Sequence, residues 1–281
     1  MQEIKRVAAV NDLSGFGRCS LTVTIPIVSA MGFQVCPVPT AVLSSHTGYP
    51  NPLVRDFSRD MAAYLEHWES LGLTFACGYT GFLGHPEQAE VLEPFLRRLT
   101  DRGAMRLVDP AMADNGKLYS SCSPALVPAM GRLVALASIA TPNLTELCLL
   151  TGGDYAALLA DPDTLRPRVE EMARRLLASG CESVVVTGVI RGREIDNLVL
   201  AGGDADPVWV SGHRVEQNFA GTGDVFASVL CGWLLRGEPL DVAVRRTTDF
   251  VCRITAATAA MHTCGQDGIA FEPYLRDLTK G

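Results

Sequence analysis

Phe219-Ala220-Gly221-Thr222-Gly223-Asp224 is the stretch on which the reading of this chain turns. Immediately after it, Val225, Phe226, Val229, Leu230, Trp233 and Leu234 recur at the three-to-four-residue spacing of a buried helix face, which puts Gly221 to Asp224 at a helix N-terminus. A helix start with little side-chain bulk gathers free backbone N–H groups and the positive end of the helix dipole, and glycine lets an anion approach the backbone. Asp224 is out of place there, because a carboxylate repels a phosphate. It belongs if its task is to take a proton from the group that attacks the phosphorus. A first-turn aspartate also stabilises a helix start by itself, so the rest of the chain has to decide between the two readings.

Along the chain, short β-rich runs alternate with longer helical patterns, as in a mostly parallel sheet with helices on both faces. Strands are expected at Arg6 to Val10, Val35 to Val38, Thr74 to Cys77, Met105 to Val108, Ser138 to Thr141 and Ser183 to Thr187. The turn signals that close them are Asn11-Asp12, Pro39, Gly78, Asp109-Pro110, Pro142-Asn143 and Gly188. Helices are expected at Pro86 to Arg102, Leu165 to Ser179 and Leu240 to His262. Ile195 to Leu200 and Val208 to Ser211, around Gly202-Gly203-Asp204, read as an antiparallel hairpin at the sheet edge. With no internal repeat, low-complexity tract or long linker, residues 1–281 read as a single domain. In such folds the chemistry collects at the carboxyl ends of the parallel strands.

Composition narrows the function. A chain of 281 residues with 48% hydrophobic content can bury a large core. The net charge of −7, with no basic run longer than a pair such as Arg174-Arg175 or Arg245-Arg246, argues against a general nucleic-acid binder. The apolar run Val7 to Val10 is too short for a signal-peptide core and no stretch suits a membrane span, so a cytoplasmic protein is expected. The nine cysteines form no C-x-x-C pair and the five histidines show no ligand spacing, which argues against a zinc site and a disulfide framework.

Ser14-Gly15-Phe16-Gly17-Arg18-Cys19-Ser20 has the first two glycines of a dinucleotide fingerprint, but Ser20 stands at the third position and no acidic residue ends the second strand. A Rossmann dehydrogenase is therefore not expected, and no Walker P-loop occurs. Gly15 and Gly17 suit either a tight turn or close contact with substrate. Asp109 and Asp114 follow the fourth strand, and Asn143 and Glu146 the fifth, so both pairs fall at one sheet edge. Hard oxygen ligands beside a phosphate site suit Mg²⁺, which commonly reaches protein through water. Asp-Pro also marks a turn, and Asn143 to Glu146 has the spacing of a capping box. Taken with the anion site, the set points to phosphoryl transfer from a nucleotide.

In the order they occur, Ser44-Ser45-His46-Thr47-Gly48-Tyr49, Cys77-Gly78-Tyr79-Thr80-Gly81, Asp109 to Asp114 with Tyr119, Thr141 to Glu146, Val186-Thr187-Gly188 and Gly221 to Asp224 closely resemble the motifs of the pyridoxal kinase family, in the ribokinase-like superfamily. The resemblance runs from Val7 to His262. It implies a three-layer α/β/α fold, a homodimer, and transfer of the γ-phosphate of ATP to the 5′-hydroxymethyl group of a vitamin B6 compound. By that likeness Asp224 is the base, and the amides of Gly221, Thr222, Gly223 and Asp224 hold the transferring group. Asp109 and Glu146 organise Mg²⁺ through water, Asp114, Tyr119, Asn143 and Thr187 belong to the ATP side, and K⁺ or another monovalent cation sits near Asp109 and Thr187. Asn11, Ser14, Thr47 and Tyr79 belong to the vitamin side.

The chain also departs from that pattern. Many pyridoxal kinases have Ser-His after the first strand, where this chain has Asn11-Asp12, then Leu13-Ser14. Asn11 can donate a hydrogen bond, and Asp12 suits a protonated ring or a substrate amine. Ala113 replaces a usual glycine and is expected to stiffen the loop over the nucleotide. Lys117 stands nearest to where some relatives carry an active-site cysteine, and Cys122 is given no covalent role. The competing readings are a hydroxymethylpyrimidine kinase on the same fold and a non-catalytic binder that kept only the fold.

Overall fold

The run Val7-Ala8-Ala9-Val10 is buried on both sides, as expected of a strand covered by helices above and below. The computed structural model describes residues 4–202 and 205–279. In chain order the elements are β1 (Arg6–Ser14), α1 (Ser20–Ala30), β2 (Gln34–Leu43), β3 (Val54–Asp56), α2 (Ser58–Ser70), β4 (Cys77–Thr80), α3 (Pro86–Asp101), β5 (Met105–Val108), β6 (Ala113–Asp114) and β7 (Lys117–Leu118). There follow α4 (Leu126–Val134), β8 (Ile139–Ala140), α5 (Leu144–Thr151), α6 (Tyr155–Leu159), α7 (Leu165–Ala178), β9 (Ser183–Arg191), β10 (Glu194–Ala201), β11 (Val208–His213), α8 (Thr222–Leu235) and α9 (Leu240–Ala260).

Among the described residues a nine-stranded sheet has the order β11-β10-β9-β8-β5-β4-β1-β2-β3, with β6 and β7 forming a separate hairpin. Pairing is parallel from β2 through β1, β4, β5 and β8 to β9, and antiparallel where β3, β10 and β11 are added at the edges. Alternate residues of one strand feed two different cores: Val184 and Val186 pack with Leu92, Met130 and Val169, whereas Val185 packs with Ile27, Val229 and Ile254. The helices thus form two layers, α1, α8 and α9 on one face and α2 to α7 on the other. This is the expected three-layer α/β/α arrangement with an antiparallel edge.

Several boundaries differ from the sequence reading for identifiable reasons. The strand expected at Thr74 to Cys77 is Cys77–Thr80, and Gly78 lies inside it rather than ending it. A Cβ at Gly78 would overlap Leu99 of α3, so this glycine marks close approach of a helix and not a turn. Gly188 is likewise inside β9, with φ 71°, where the pairing with β10 slips by one residue between Asp196 and Leu198. A glycine bulge therefore lets the strand continue to Arg191. β1 and β2 run on to Ser14 and Leu43, past Asn11-Asp12 and Pro39, with a similar slip between Asn11 and Leu13. The expected edge hairpin is present as β10 and β11, although Gly203 and Asp204 lie outside the described residues. Among the described residues no helix is long and apolar enough to cross a membrane.

Candidate active site

Strand order reverses between β1 and β4: the chain moves from β1 to β2 on one side, then returns to add β4 on the other. Carboxyl ends of strands diverge at such a point and leave a crevice. A cavity of about 130 Å³ opens along this sheet edge, lined by Asp109, Tyr119, Asn143, Glu146, Thr187 and Asp224 together with Gly221, Gly223 and three residues not expected there, Ala111, Thr141 and Phe226. The end of β5 delivers Asp109 and Ala111, Tyr119 follows β7, the end of β8 delivers Thr141 and Asn143, α5 carries Glu146, the bulge in β9 presents Thr187, and the start of α8 supplies Gly221, Gly223, Asp224 and Phe226.

The start of α8 has the features of an anion site. Gly221 caps the helix in the left-handed conformation, φ 72°, and a Cβ there would overlap the carbonyl oxygen of Arg18. Only glycine fits that position. Gly223 differs, since a Cβ would meet no atom within 4 Å and would project into free space beside the cavity. Its smallness leaves room for something absent from the polypeptide. The Thr222 hydroxyl donates to the Phe219 carbonyl at 2.8 Å and so is engaged in the turn.

Three carboxylates face this cavity, and no Lys, Arg or His is among its lining residues. Burial first, then the neighbouring Asp224, pushes Asp109 up to about 8. Asp224 keeps part of its surface open to the cavity, yet burial pushes it up to about 7, with Asp12 adding repulsion and the Ser20 N–H and the Asn11 amide opposing the rise. Glu146 is raised well above the usual carboxylate range by burial and by Asp109. The expected capping box of α5 is also present: Asn143 Oδ1 accepts the N–H groups of Thr145 at 2.9 Å and Glu146 at 3.0 Å, while Glu146 Oε2 accepts the Asn143 N–H at 2.9 Å. Glu146 Oε1 further accepts the Met112 N–H at 3.1 Å, and Asn143 Nδ2 donates to the Ala113 carbonyl at 2.8 Å. The cap and the site are thus one structure, and the cap fixes the loop after Asp109 to the loop after β8. Ala113, buried in β6, is part of that tie.

A divalent cation suits this donor set. The ligands are hard oxygens, and no cationic side chain among the lining residues compensates their charge. Among the described residues no three carboxylate, His or Cys side chains are close enough to chelate an ion directly, which leaves room for water between metal and protein.

The remaining expected residues are distributed differently. Asp114 lies outside the cavity and accepts from the Asn115 N–H at 2.8 Å and the Asn115 amide at 2.9 Å, closing the β6–β7 turn. Tyr79 does not present a ring face to open space: it is 1% exposed and packed in the core with α1 and α8. Its place on β4, alternating with Gly78 and Thr80, dictates that inward direction. Ser14 is fully buried and donates its hydroxyl to Asp12 at 2.8 Å, so neither of them faces a substrate. Asn11 donates to Asp224 Oδ1 at 3.3 Å and accepts the Phe82 N–H at 2.8 Å. Thr47 is exposed on a loop held down by its neighbours: His46 Nε2 bonds the Gln266 carbonyl at 2.8 Å and Tyr49 donates to Asp267 at 2.5 Å. Gly17, φ 88°, is needed because a Cβ would overlap the His46 ring. Burial pushes the Cys122 thiol up to about 11, which agrees with an unreactive cysteine.

Comparison with known proteins bears on this site. The phosphomethylpyrimidine kinase family model matches residues 70–267. A crystal structure of a candidate phosphomethylpyrimidine kinase from Bacteroides thetaiotaomicron, described as an orthorhombic form with pyridoxal, superposes with a TM-score of 0.92 at 35% identity, covering 98% of this chain and 96% of that one. The pyridoxine/pyridoxal/pyridoxamine kinase of Bordetella pertussis is 30% identical over 249 residues, 85% of this chain and 84% of its own length. Pyridoxal kinase from Lactobacillus plantarum gives a TM-score of 0.87 at 29% identity, covering 98% of this chain and 97% of that one.

Proposed function

The chain belongs to the phosphomethylpyrimidine kinase family and, within it, to the pyridoxal kinases of the ribokinase-like superfamily, and we propose that it transfers the γ-phosphoryl group of ATP to the 5′-hydroxymethyl group of pyridoxal, pyridoxine or pyridoxamine. The observation that carries the reading is Asp224, a carboxyl raised to about 7 at the start of a helix whose first turn is a glycine cradle. A primary alcohol is a poor nucleophile, and a carboxylate whose proton affinity sits near the working pH is suited to remove its proton as the phosphorus is attacked. The N–H groups at the start of α8 stabilise the charge that builds on the phosphoryl oxygens.

Asp109 and Glu146 would hold Mg²⁺ through water, and that ion would neutralise charge on the nucleotide phosphates. Asn143 and Thr187 line the phosphate side, and Tyr119 belongs to the nucleotide side. A monovalent cation would sit near Asp109 and Thr187, with the Thr141 hydroxyl as a further oxygen donor lining the same cavity. The protein is proposed to act as a cytoplasmic homodimer.

A second reading, phosphorylation of a hydroxymethylpyrimidine, is favoured by the description of the matching family model. Product-identified turnover of purified protein with Mg²⁺-ATP and K⁺ on the three vitamers and on hydroxymethylpyrimidine, for wild type and Asp224→Asn, decides between them. Vitamer phosphorylation that falls by roughly 10²-fold or more in the variant is expected. Turnover on the pyrimidine alone moves the assignment to the second reading, and a fully active variant removes Asp224 as the base.

A further inference from the structure

Ser20, the first residue of α1, has a left-handed backbone, φ 53°, and is 5% exposed. Such a conformation is unfavourable for any residue with a Cβ and persists only where the surroundings hold it. The holder here is Asp12. Its Oδ1 accepts the Ser20 hydroxyl at 2.5 Å and its Oδ2 accepts the Ser14 hydroxyl at 2.8 Å, while its own N–H donates to Asn11 Oδ1 at 3.0 Å. Hydrogen bonds to a carboxylate are among the stronger ones a buried site can make. Asp12 is itself only 5% exposed, and both its oxygens are turned to serine hydroxyls inside the protein rather than to a substrate amine or a protonated ring. The role that its sequence position suggested is therefore not the one its geometry supports.

What the arrangement does hold is Asp224. The Ser20 N–H faces that carboxyl from the start of α1, and the Asn11 amide approaches Asp224 Oδ1 from the end of β1 at 3.3 Å. Asn11 is in turn packed against Gly81, where a Cβ would overlap its amide, and is fixed by the Phe82 N–H at 2.8 Å. The orientation of the carboxyl is thus set by β1 and α1 as much as by α8, which carries it.

We infer that Asp12 is a positioning residue for the base: through the Ser20 hydroxyl it locks the first turn of α1 in the left-handed conformation that aims the Ser20 N–H at Asp224, and so fixes the carboxyl orientation in which the alcohol proton is accepted. The inference rests on the kinase reading and deepens it. The other titratable groups around Asp224 are Asp109 after β5, Cys19 before α1, Tyr79 on β4, and Tyr119, while His46 faces Asp12. With so many neighbours, the test is placed on kcat and KM at one pH.

The variants are Asp12→Ala, Ser20→Ala and Ser20→Gly in the full chain, assayed with Mg²⁺-ATP and the best vitamer. Both alanine variants are expected to lose at least tenfold in kcat with KM for ATP within twofold of wild type. Ser20→Gly loses the same hydroxyl but takes the left-handed turn without strain, so it should turn over at least fivefold faster than Ser20→Ala. A hydrogen bond with a merely structural role would be lost equally in both. Equal kcat for Ser20→Ala and Ser20→Gly, or a loss confined to KM for the vitamer, overturns the inference. If Asp12→Ala does not fold, the Ser20 pair decides alone. A wild-type protein with no turnover overturns the kinase reading and this inference with it, whereas wild-type turnover that survives in the alanine variants overturns this inference only.

Discussion

Asp109→Asn should stabilise the protein while abolishing most of its activity, because the carboxylate is retained at a cost to the fold. Its native proton affinity is raised from 3.8 to about 8, and at pH 7 the site is displaced by roughly three units from its unfolded value. At about 1.4 kcal/mol per unit this gives an upper bound of about 4 kcal/mol. Part of that is mutual repulsion with Asp224, which the variant also relieves, and part is offset because the new amide N–H groups need partners. A net gain of about 1–3 kcal/mol remains, or a rise of roughly 2–6 °C in Tm for a chain of this size. The sign depends on pH. A carboxyl whose native pKa is raised contributes its stability fully below its unfolded pKa and loses it as pH climbs through the native value, so the advantage of asparagine should be small near pH 4–5 and largest above pH 8. Thermal unfolding of wild type and variant at pH 5 and pH 8.5, without divalent ions or nucleotide, measures this. An equal shift at the two pH values, or a variant less stable at pH 8.5, would refute the account of the cavity as a cluster of uncompensated charge. Mg²⁺ with ATP should then stabilise wild type more than the variant.

Three further outcomes follow from the same geometry. Gly221→Ala should destabilise the fold by at least about 2 kcal/mol, because a Cβ overlaps the Arg18 carbonyl and the backbone is left-handed, whereas Gly223→Ala should melt within a few degrees of wild type yet lose about tenfold or more in kcat/KM for ATP; urea denaturation beside steady-state kinetics separates them. The kcat of wild type should rise with pH between about 6 and 8 as Asp224, held near 7, loses its proton, and Asp224→Asn should lack that limb in a pH–rate profile. Gly81→Ala should push the Asn11 amide away from Asp224 and lower kcat about tenfold with little change in KM for ATP.

Periodicity made several of the longer helices legible: the starts of Pro86–Asp101, Leu165–Ala178 and Leu240–Ala260 stand where the sequence pattern places them. Helices of several turns repeat their apolar face often enough to be read without a partner. Glycine was the weak point. The same residue ends a strand, bends it, or admits a helix against it, and only the neighbour tells which. At Gly78 the neighbour is Leu99 on α3, and at Gly188 it is the slipped pairing with β10, neither of which is local in sequence. The left-handed Ser20 left no trace in the sequence either, because its cause is a carboxylate eight residues earlier on a different element.

The candidate site was legible where it depends on strand ends and helix starts, and illegible where it depends on burial. Asp109, Glu146 and Asp224 could be placed at one edge from topology, but Tyr79 and Ser14 face inward because of pleat and packing that no motif records. Nor does a sequence say whether a carboxylate will meet a cation. Asp196 is 0% exposed, and although burial raises it, the Ser211 hydroxyl and the guanidinium groups of Arg166 at 2.8 Å and Arg191 at 3.0 Å hold it below its ordinary value. Asp109, comparably buried, has the Thr141 hydroxyl to oppose the rise but meets no guanidinium among the residues lining its cavity, and is pushed the other way. A fold that supplies guanidinium groups to one buried carboxylate and withholds them from three others around a single cavity leaves the compensating charge to come from outside the chain. The same absence leaves room for the phosphates that such a cation would accompany, and it is why the cradle at Gly221 to Asp224 can be built from backbone N–H groups alone.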